Sequence, residues 1–139
     1  MHIRKDSADP GDSAGLASPA ARDLLRRHAE VFKALGSEQR AAIVCALSDG
    51  EKSVSKIAEA VGLAVPNVSQ HLRVLRESGV VRDRREGQHV YYAIANPKFL
   101  AACCLIRDAV VEESQAYGAS LADVSGLIFS GNDAPGDTN

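Results

Sequence analysis

The sequence has no apolar run of about 18 residues, the length that a membrane-spanning helix needs. Its opening, MHIRKDSADPGDSAG, lacks the apolar core of a secretory signal. Cysteine is scarce and odd in number, at three, so no even disulfide framework can form. These features fit a cytoplasmic protein with reduced thiols and no membrane partner. A Gly-rich phosphate loop is missing. His28, His71 and His89 have no carboxylate or nucleophile at a motif spacing, so no enzymatic reaction is indicated. There is no internal repeat. There is no strong charge bias either: formal net charge is −2 over 139 residues, a length that suits one domain with a modest core.

What the chain does have is an uneven distribution of charge and apolar residues. Residues 1–18 carry two basic and three acidic groups, and residues 119–139 carry none and three, so the middle is slightly basic. Between Arg73 and Arg85 five arginines stand against Glu77 and Asp83, a density that suits a phosphate-contacting surface. The plainer reading of such a run is a solvated charged face. Residues 1–18 are rich in Gly, Ser, Asp and Pro and read as a disordered arm. Residues 19–118 read as the folded domain. Residues 119–139 read as a flexible tail whose apolar patch, Val124, Leu127, Ile128 and Phe129, could form a short helix.

The centre of the chain, residues 54–92, reads as helix, tight turn, helix and two-stranded hairpin. Ile57, Ala58 and Val61 recur at helical spacing before Gly62, a stop signal. Pro66 suits the first turn of the next helix, where a missing N–H costs nothing. Val68, Leu72 and Leu75 then form one apolar stripe. Between them lie Asn67, Ser69, Gln70, His71, Arg73 and Arg76, nearly all able to hydrogen-bond outward. Gly79 tolerates the positive φ of a helix C-terminus. Val80 and Val81 open a strand, Arg84 to Gln88 read as a polar turn, and Val90, Tyr91 and Tyr92 return. The expected fold class is mainly α with a β-hairpin wing, a winged helix-turn-helix, and the expected partner is double-stranded operator DNA.

Helices should flank this unit. One starts near Pro19, with Leu24, Leu25, Val31, Phe32 and Leu35 on its apolar side, and ends at Gly36. Ser37 can cap a second, about residues 38–48, that buries Ile43, Val44 and Leu47. Asp49-Gly50 signals a turn, and Ser53 can cap the helix containing Ile57. Asn96-Pro97 should start a long helix reaching about Tyr117, with Phe99, Cys103, Ile106 and Val110 on one stripe and Leu100 and Val111 beside it. That stripe exceeds what a small domain can cover. Pairing with a second copy through the first and terminal helices would cover it, making a homodimer that presents two recognition helices to an inverted repeat.

The segment from Ala34 to Ile94 resembles the ArsR/SmtB metalloregulators. The resemblance rests on the helix junction at Leu35-Gly36, the recognition helix NVSQHLRVLRESGVV and the wing RREGQHVYY, and covers roughly Arg22 to Glu113. It implies a dimeric repressor that leaves its operator when an inducer binds. It also implies that Asn67, Ser69, Gln70, His71 and Arg73 line the DNA-facing helix and that Arg84, Arg85 and Gln88 belong to the wing. Arg and Gln can read base edges bidentately, and Ser can position the helix on phosphates. The plainer readings are helix capping for Asn67 and Ser69 and internal packing for His71.

The inducer sites of that family are where this sequence departs. A Cys-x-Cys pair ahead of the recognition helix is replaced by Ser53-Val54-Ser55, a poor set for soft ions. A carboxylate–histidine site on the terminal helix would fall on Asn96, Lys98, Ala109 and Glu112, of which only Glu112 suits a metal. There remain Cys45, Cys103 and Cys104. Cys45 resembles one cysteine of the branch that senses reactive sulfur or oxidants, but that branch's second cysteine aligns with Val111. Alternatively the three thiols could hold arsenite or another soft metal ion as inducer, with no resident cofactor required. The plainer reading is three small buried hydrophobes. A protein–protein module is the competing function. A strong salt dependence of binding to DNA would favour the DNA reading over it.

Overall fold

A computed structural model describes residues 13–116. The tail patch at Val124 to Phe129 and most of the expected N-terminal arm lie outside these described residues. The elements run α1 (Ser13–Leu16), α2 (Pro19–Leu35), α3 (Glu38–Ala46), β1 (Lys52–Ser53), α4 (Val54–Val61), α5 (Val65–Glu77), β2 (Val81–Glu86), β3 (His89–Ile94) and α6 (Pro97–Ala116). The single turn α1 falls within the stretch read as a disordered arm. No helix among the described residues is long and apolar enough to cross a membrane.

Serine side chains start three helices. Ser18, Ser37 and Ser53 each accept a hydrogen bond at 3.2 Å, from the backbone N–H of Ala21, Arg40 and Lys56, and so satisfy first-turn donors of α2, α3 and α4. Gly62 ends α4 at φ 71°, ψ 33°, a left-handed conformation that glycine adopts without Cβ strain, and its N–H closes on the Ala58 carbonyl. The chain can then turn sharply into α5.

The core sits where α3, α4 and α5 meet. Ile43, Val44, Leu47, Ile57, Val68, Leu72, Leu75 and Val80 are each at most 2% exposed. The stripe read at Val68, Leu72 and Leu75 is thus the inner face of α5. The wing hairpin belongs to a three-stranded antiparallel sheet in the order β1-β3-β2. Its third strand, β1, was not expected from the sequence, because two residues show no alternation. The hairpin strands also run further than expected. Arg84 to Glu86 continue β2, and the turn shrinks to Gly87-Gln88, with Gly87 at φ 63°.

The outer helices carry the largest departure from the expected pattern. α6 is apolar on two sides. Leu100 and Cys104 are buried on its inner side, with Phe99 and Cys103 half-buried beside them. Leu105, Ile106 and Val110 are 56–69% exposed on another side, spaced with Ala102 and Ala109 at i, i+3, i+4, i+7 and i+8. The expected stripe of Phe99, Cys103, Ile106 and Val110 therefore splits between the two. Helix α2 is about 25 Å long at 1.5 Å per residue. Only its last turns reach the core, through Val31, Ala34 and Leu35. Leu24, Leu25 and Phe32 stay 44–67% exposed.

Candidate nucleic-acid interface and thiol cluster

Helices α4 and α5 with the turn between them form the helix-turn-helix, and β2 and β3 form the wing. Helix α5 is anchored by its buried stripe, which turns Asn67, Ser69, Gln70 and Arg73 to solvent. Neither Asn67 nor Ser69 caps the helix. The N-cap is Ala64, with no side-chain cap bond, and Pro66 occupies the first turn. Four hydrogen-bonding side chains are therefore presented from one helix, a composition suited to base edges and phosphates. Arg73 makes only a loose ion pair with Glu77, at 3.5 Å and well exposed, which is of little energetic weight.

His71 is set apart from these four side chains. It neighbours the buried stripe, is half-buried, and meets the Arg40 guanidinium at 3.4 Å between Nη1 and Nδ1. A guanidinium only donates, so Nδ1 is the acceptor. Arg40 also donates from Nε to the Ala34 carbonyl at 2.6 Å and from Nη2 to the Lys33 carbonyl at 3.4 Å, satisfying the end of α2. It thereby ties the projecting helix to the recognition helix. Sequence reasoning missed Arg40. The only local signal is its position three residues after the capping Ser37.

The arginine cluster is largely committed within the protein. Arg76 pairs with Asp83 at 3.3 Å, joining α5 to β2. Arg82 donates from Nη1 to the carbonyls of Ile94 and Ala95 at 3.2 and 3.5 Å. Arg84 is gripped by Glu51 and Glu86 at 2.8–2.9 Å. Arg85 and Gln88 are exposed at the wing tip. Between the wing and the helix pair runs an open groove of about 690 Å³, lined among others by Lys56, Val65, Ser69, Gln88 and His89.

The three cysteines lie in or against the core and are near enough to influence one another electrostatically, none in a disulfide. Cys45 and Cys103 are half-buried and Cys104 is 5% exposed. Burial pushes the Cys45 thiol up to about 11. Negative charge at Cys103 or Cys104 would push the same way, and Arg107 opposes them. Burial, then Cys104, raises Cys103 as well. Both thiols are therefore protonated at neutral pH. Among the described residues no group of three His, Cys, Asp or Glu side chains is arranged to hold a metal ion. The three-sulfur site expected at Cys45, Cys103 and Cys104 is thus not arranged in this conformation. Ser53 is spent on capping α4 and Asn96 on the first turn of α6, where its Oδ1 accepts from the Lys98 N–H at 2.9 Å.

Comparison with known proteins agrees with this geometry. Residues 37–83 match the family described as "Bacterial regulatory protein, arsR family". The chain is 43% identical over 67 residues to the transcriptional regulator KmtR of Mycobacterium tuberculosis, covering 48% of this chain and 52% of that one. It is 34% identical over 89 residues to the biofilm growth-associated repressor of Agrobacterium fabrum, covering 64% of this chain and 76% of that one. Among solved structures, it superposes at a TM-score of 0.67 on a winged helix-turn-helix DNA-binding domain from Mycobacterium bovis, described as homodimeric and possibly of the ArsR family. That match has 32% identity and covers 74% of this chain and 95% of that one. The helix pair, the wing and these likenesses together place the chain in the arsR family of bacterial regulatory proteins.

Proposed function

We propose that this chain is a DNA-binding transcriptional repressor that works as a homodimer on an inverted-repeat operator. The observation that carries the reading is helix α5. Its apolar stripe is fully buried, so Asn67, Ser69, Gln70 and Arg73 stand together on the exposed side. Arg85 and Gln88 at the wing tip supply flanking contacts, and His71 supports the helix from within. The exposed apolar residues of α2 and α6 are the surface that a second copy covers. The family is one of regulators, which supports binding and not turnover as the chain's activity.

The inducer reading is finer. Cys45, Cys103 and Cys104 are the free thiols of the described residues, and relatives include an arsenic resistance regulator from Pseudomonas putida. We propose that a thiophilic ion or a reactive sulfur species acts there and releases the DNA. The test is fluorescence anisotropy with a DNA fragment from the promoter of the chain's own gene, first across a salt series and then with arsenite and polysulfide. Binding that weakens steeply with salt supports the DNA reading. Release of the parent but not of a triple Cys→Ser variant supports the thiol reading. Equal release of both places the sensor elsewhere.

A further inference from the structure

Arg84 and Glu51 lie on opposite sides of the middle strand. Arg84 of β2 is paired in register with Tyr91 of β3, and Tyr91 is paired on its other side with Ser53 of β1. Glu51 immediately precedes β1. To reach it, the Arg84 side chain crosses β3 over the Tyr91 ring, with Cζ 4.8 Å from the ring centroid. There its Nε and Nη2 donate to both carboxylate oxygens of Glu51, at 2.9 and 2.8 Å. Nη1 donates to Glu86 Oε1 at 2.9 Å.

This is the bidentate fork geometry in which arginine grips a carboxylate or a phosphate. Here the Nε/Nη2 fork is already filled, and two carboxylates outweigh the one guanidinium charge. Side chains alternate along a strand, so Arg85 leaves β2 on the other face. The Arg84 guanidinium holds Glu51 below the usual carboxylate range, so the pair stays ionised at neutral pH. Glu51 and Tyr91 also line the groove between the wing and the helix pair, and Arg84 is set back from the turn by the Arg85–Val90 and Glu86–His89 pairs.

We propose that Glu51, Tyr91 and Arg84 form a strut that fixes the wing relative to the helix pair, and that Arg84 is a positioning residue and not a phosphate contact. The wing's contact with DNA then falls to Arg85 and Gln88. This rests on the DNA-binding reading for its consequence but not for its structure, and the two are tested separately. The competing arrangement is that Glu51 merely shields Arg84 until a phosphate displaces it.

The experiment compares the parent with Glu51→Gln, Arg84→Gln and the exchanged pair Glu51→Arg/Arg84→Glu. Hydrogen exchange of the β2 and β3 amides is read in the free protein, and affinity for the promoter fragment across a salt series. The strut predicts faster exchange in both single variants and slower exchange again in the exchanged pair. It also predicts binding weakened roughly two- to fivefold in each single variant, with an unchanged slope of log K against log salt, and affinity largely restored by the exchange. Tighter binding by Glu51→Gln would overturn the proposal. So would a salt slope lowered by about one in Arg84→Gln, with the exchanged pair the weakest binder. Unchanged exchange in both single variants overturns it without reference to DNA. A parent protein that binds no promoter fragment overturns the DNA reading, while hydrogen exchange still decides the strut.

Discussion

Leu105 gives the most direct test of assembly, because it contributes little to the folded monomer. It is 69% exposed, the most exposed large apolar side chain on α6. Leu105→Ala removes three carbons, worth about 2.4 kcal/mol if fully buried at about 0.8 kcal/mol per methylene. If a second copy covers the 69% that is exposed, the loss is about 1.7 kcal/mol per protomer. A two-fold interface counts it twice, giving about 3.3 kcal/mol and a dimer dissociation constant raised roughly 200-fold. Sedimentation velocity over a concentration series reads this directly, with circular dichroism confirming an intact fold. Val65→Ala serves as control, since Val65 is 44% exposed but sits at the start of the recognition helix. The reasoning is refuted if Leu105→Ala dimerises like the parent, if Val65→Ala dissociates equally, or if the parent is already a monomer at micromolar concentration.

Gln70→Ala should weaken specific DNA binding by about 1–3 kcal/mol if it reads a base, whereas Arg85→Ala should weaken all sequences alike and lower the salt slope by about one. Competition binding against unrelated DNA separates the two. His71→Gln should lower the urea midpoint and leave the ratio of specific to non-specific affinity unchanged, because His71 faces Arg40. A changed ratio would return it to the DNA surface. Because the Cys45 thiol is raised from 9.0 to about 11, its contribution to stability is complete below about pH 9 and is lost as pH rises through about 11. Urea unfolding of the parent against Cys45→Ser should therefore converge across that window, and parallel curves would show that burial does not hold the thiol protonated.

Local signals in the sequence located most of the helix-turn-helix. The spacing of Val68, Leu72 and Leu75 needs only the 3.6-residue period, and all three are fully buried. Ser37 and Ser53 cap their helices because a cap depends on a donor three residues away. What could not be read depends on distant partners. Glu51 meets Arg84 across 33 positions, and Arg40 meets His71 across 31. Hence the sequence could not show that Arg84, read as a wing contact with DNA, meets Glu51 and Glu86, or that His71 on the recognition helix is half-buried against Arg40. The strand β1 is only two residues long and exists because β3 offers it an edge. The division of α6 into two apolar sides was hidden for the opposite reason. With apolar residues almost all round, no single stripe stands out, and only packing decides that Leu100 and Cys104 go in while Leu105 and Ile106 stay out.

That division also bears on how sensing at the thiols would reach the DNA. Cys104 is 5% exposed, and it is one of only two buried residues on α6, the other being Leu100. Interiors are close-packed, so an ion or an added sulfur at Cys104 has little space unless α6 shifts from the core that buries it. The far side of the same helix carries Leu105, Ile106 and Val110, the surface assigned to the second copy. In the proposed dimer, a displacement on the inner side would also displace the dimer contact. It would change the separation of the two recognition helices without altering either one. The half-buried, protonated state of Cys45 and Cys103 fits such a device. A thiol at about 11 is only about one part in ten thousand thiolate at pH 7, so nucleophilic attack from the closed state is slow. Reaction would then proceed from an opened α6, and the adduct would keep it open. On this account, mutations that loosen α6 from the core, such as Leu100→Ala, should speed thiol labelling by iodoacetamide and weaken DNA binding together. If labelling accelerates while DNA affinity holds, the thiols and the recognition helices are not coupled through α6.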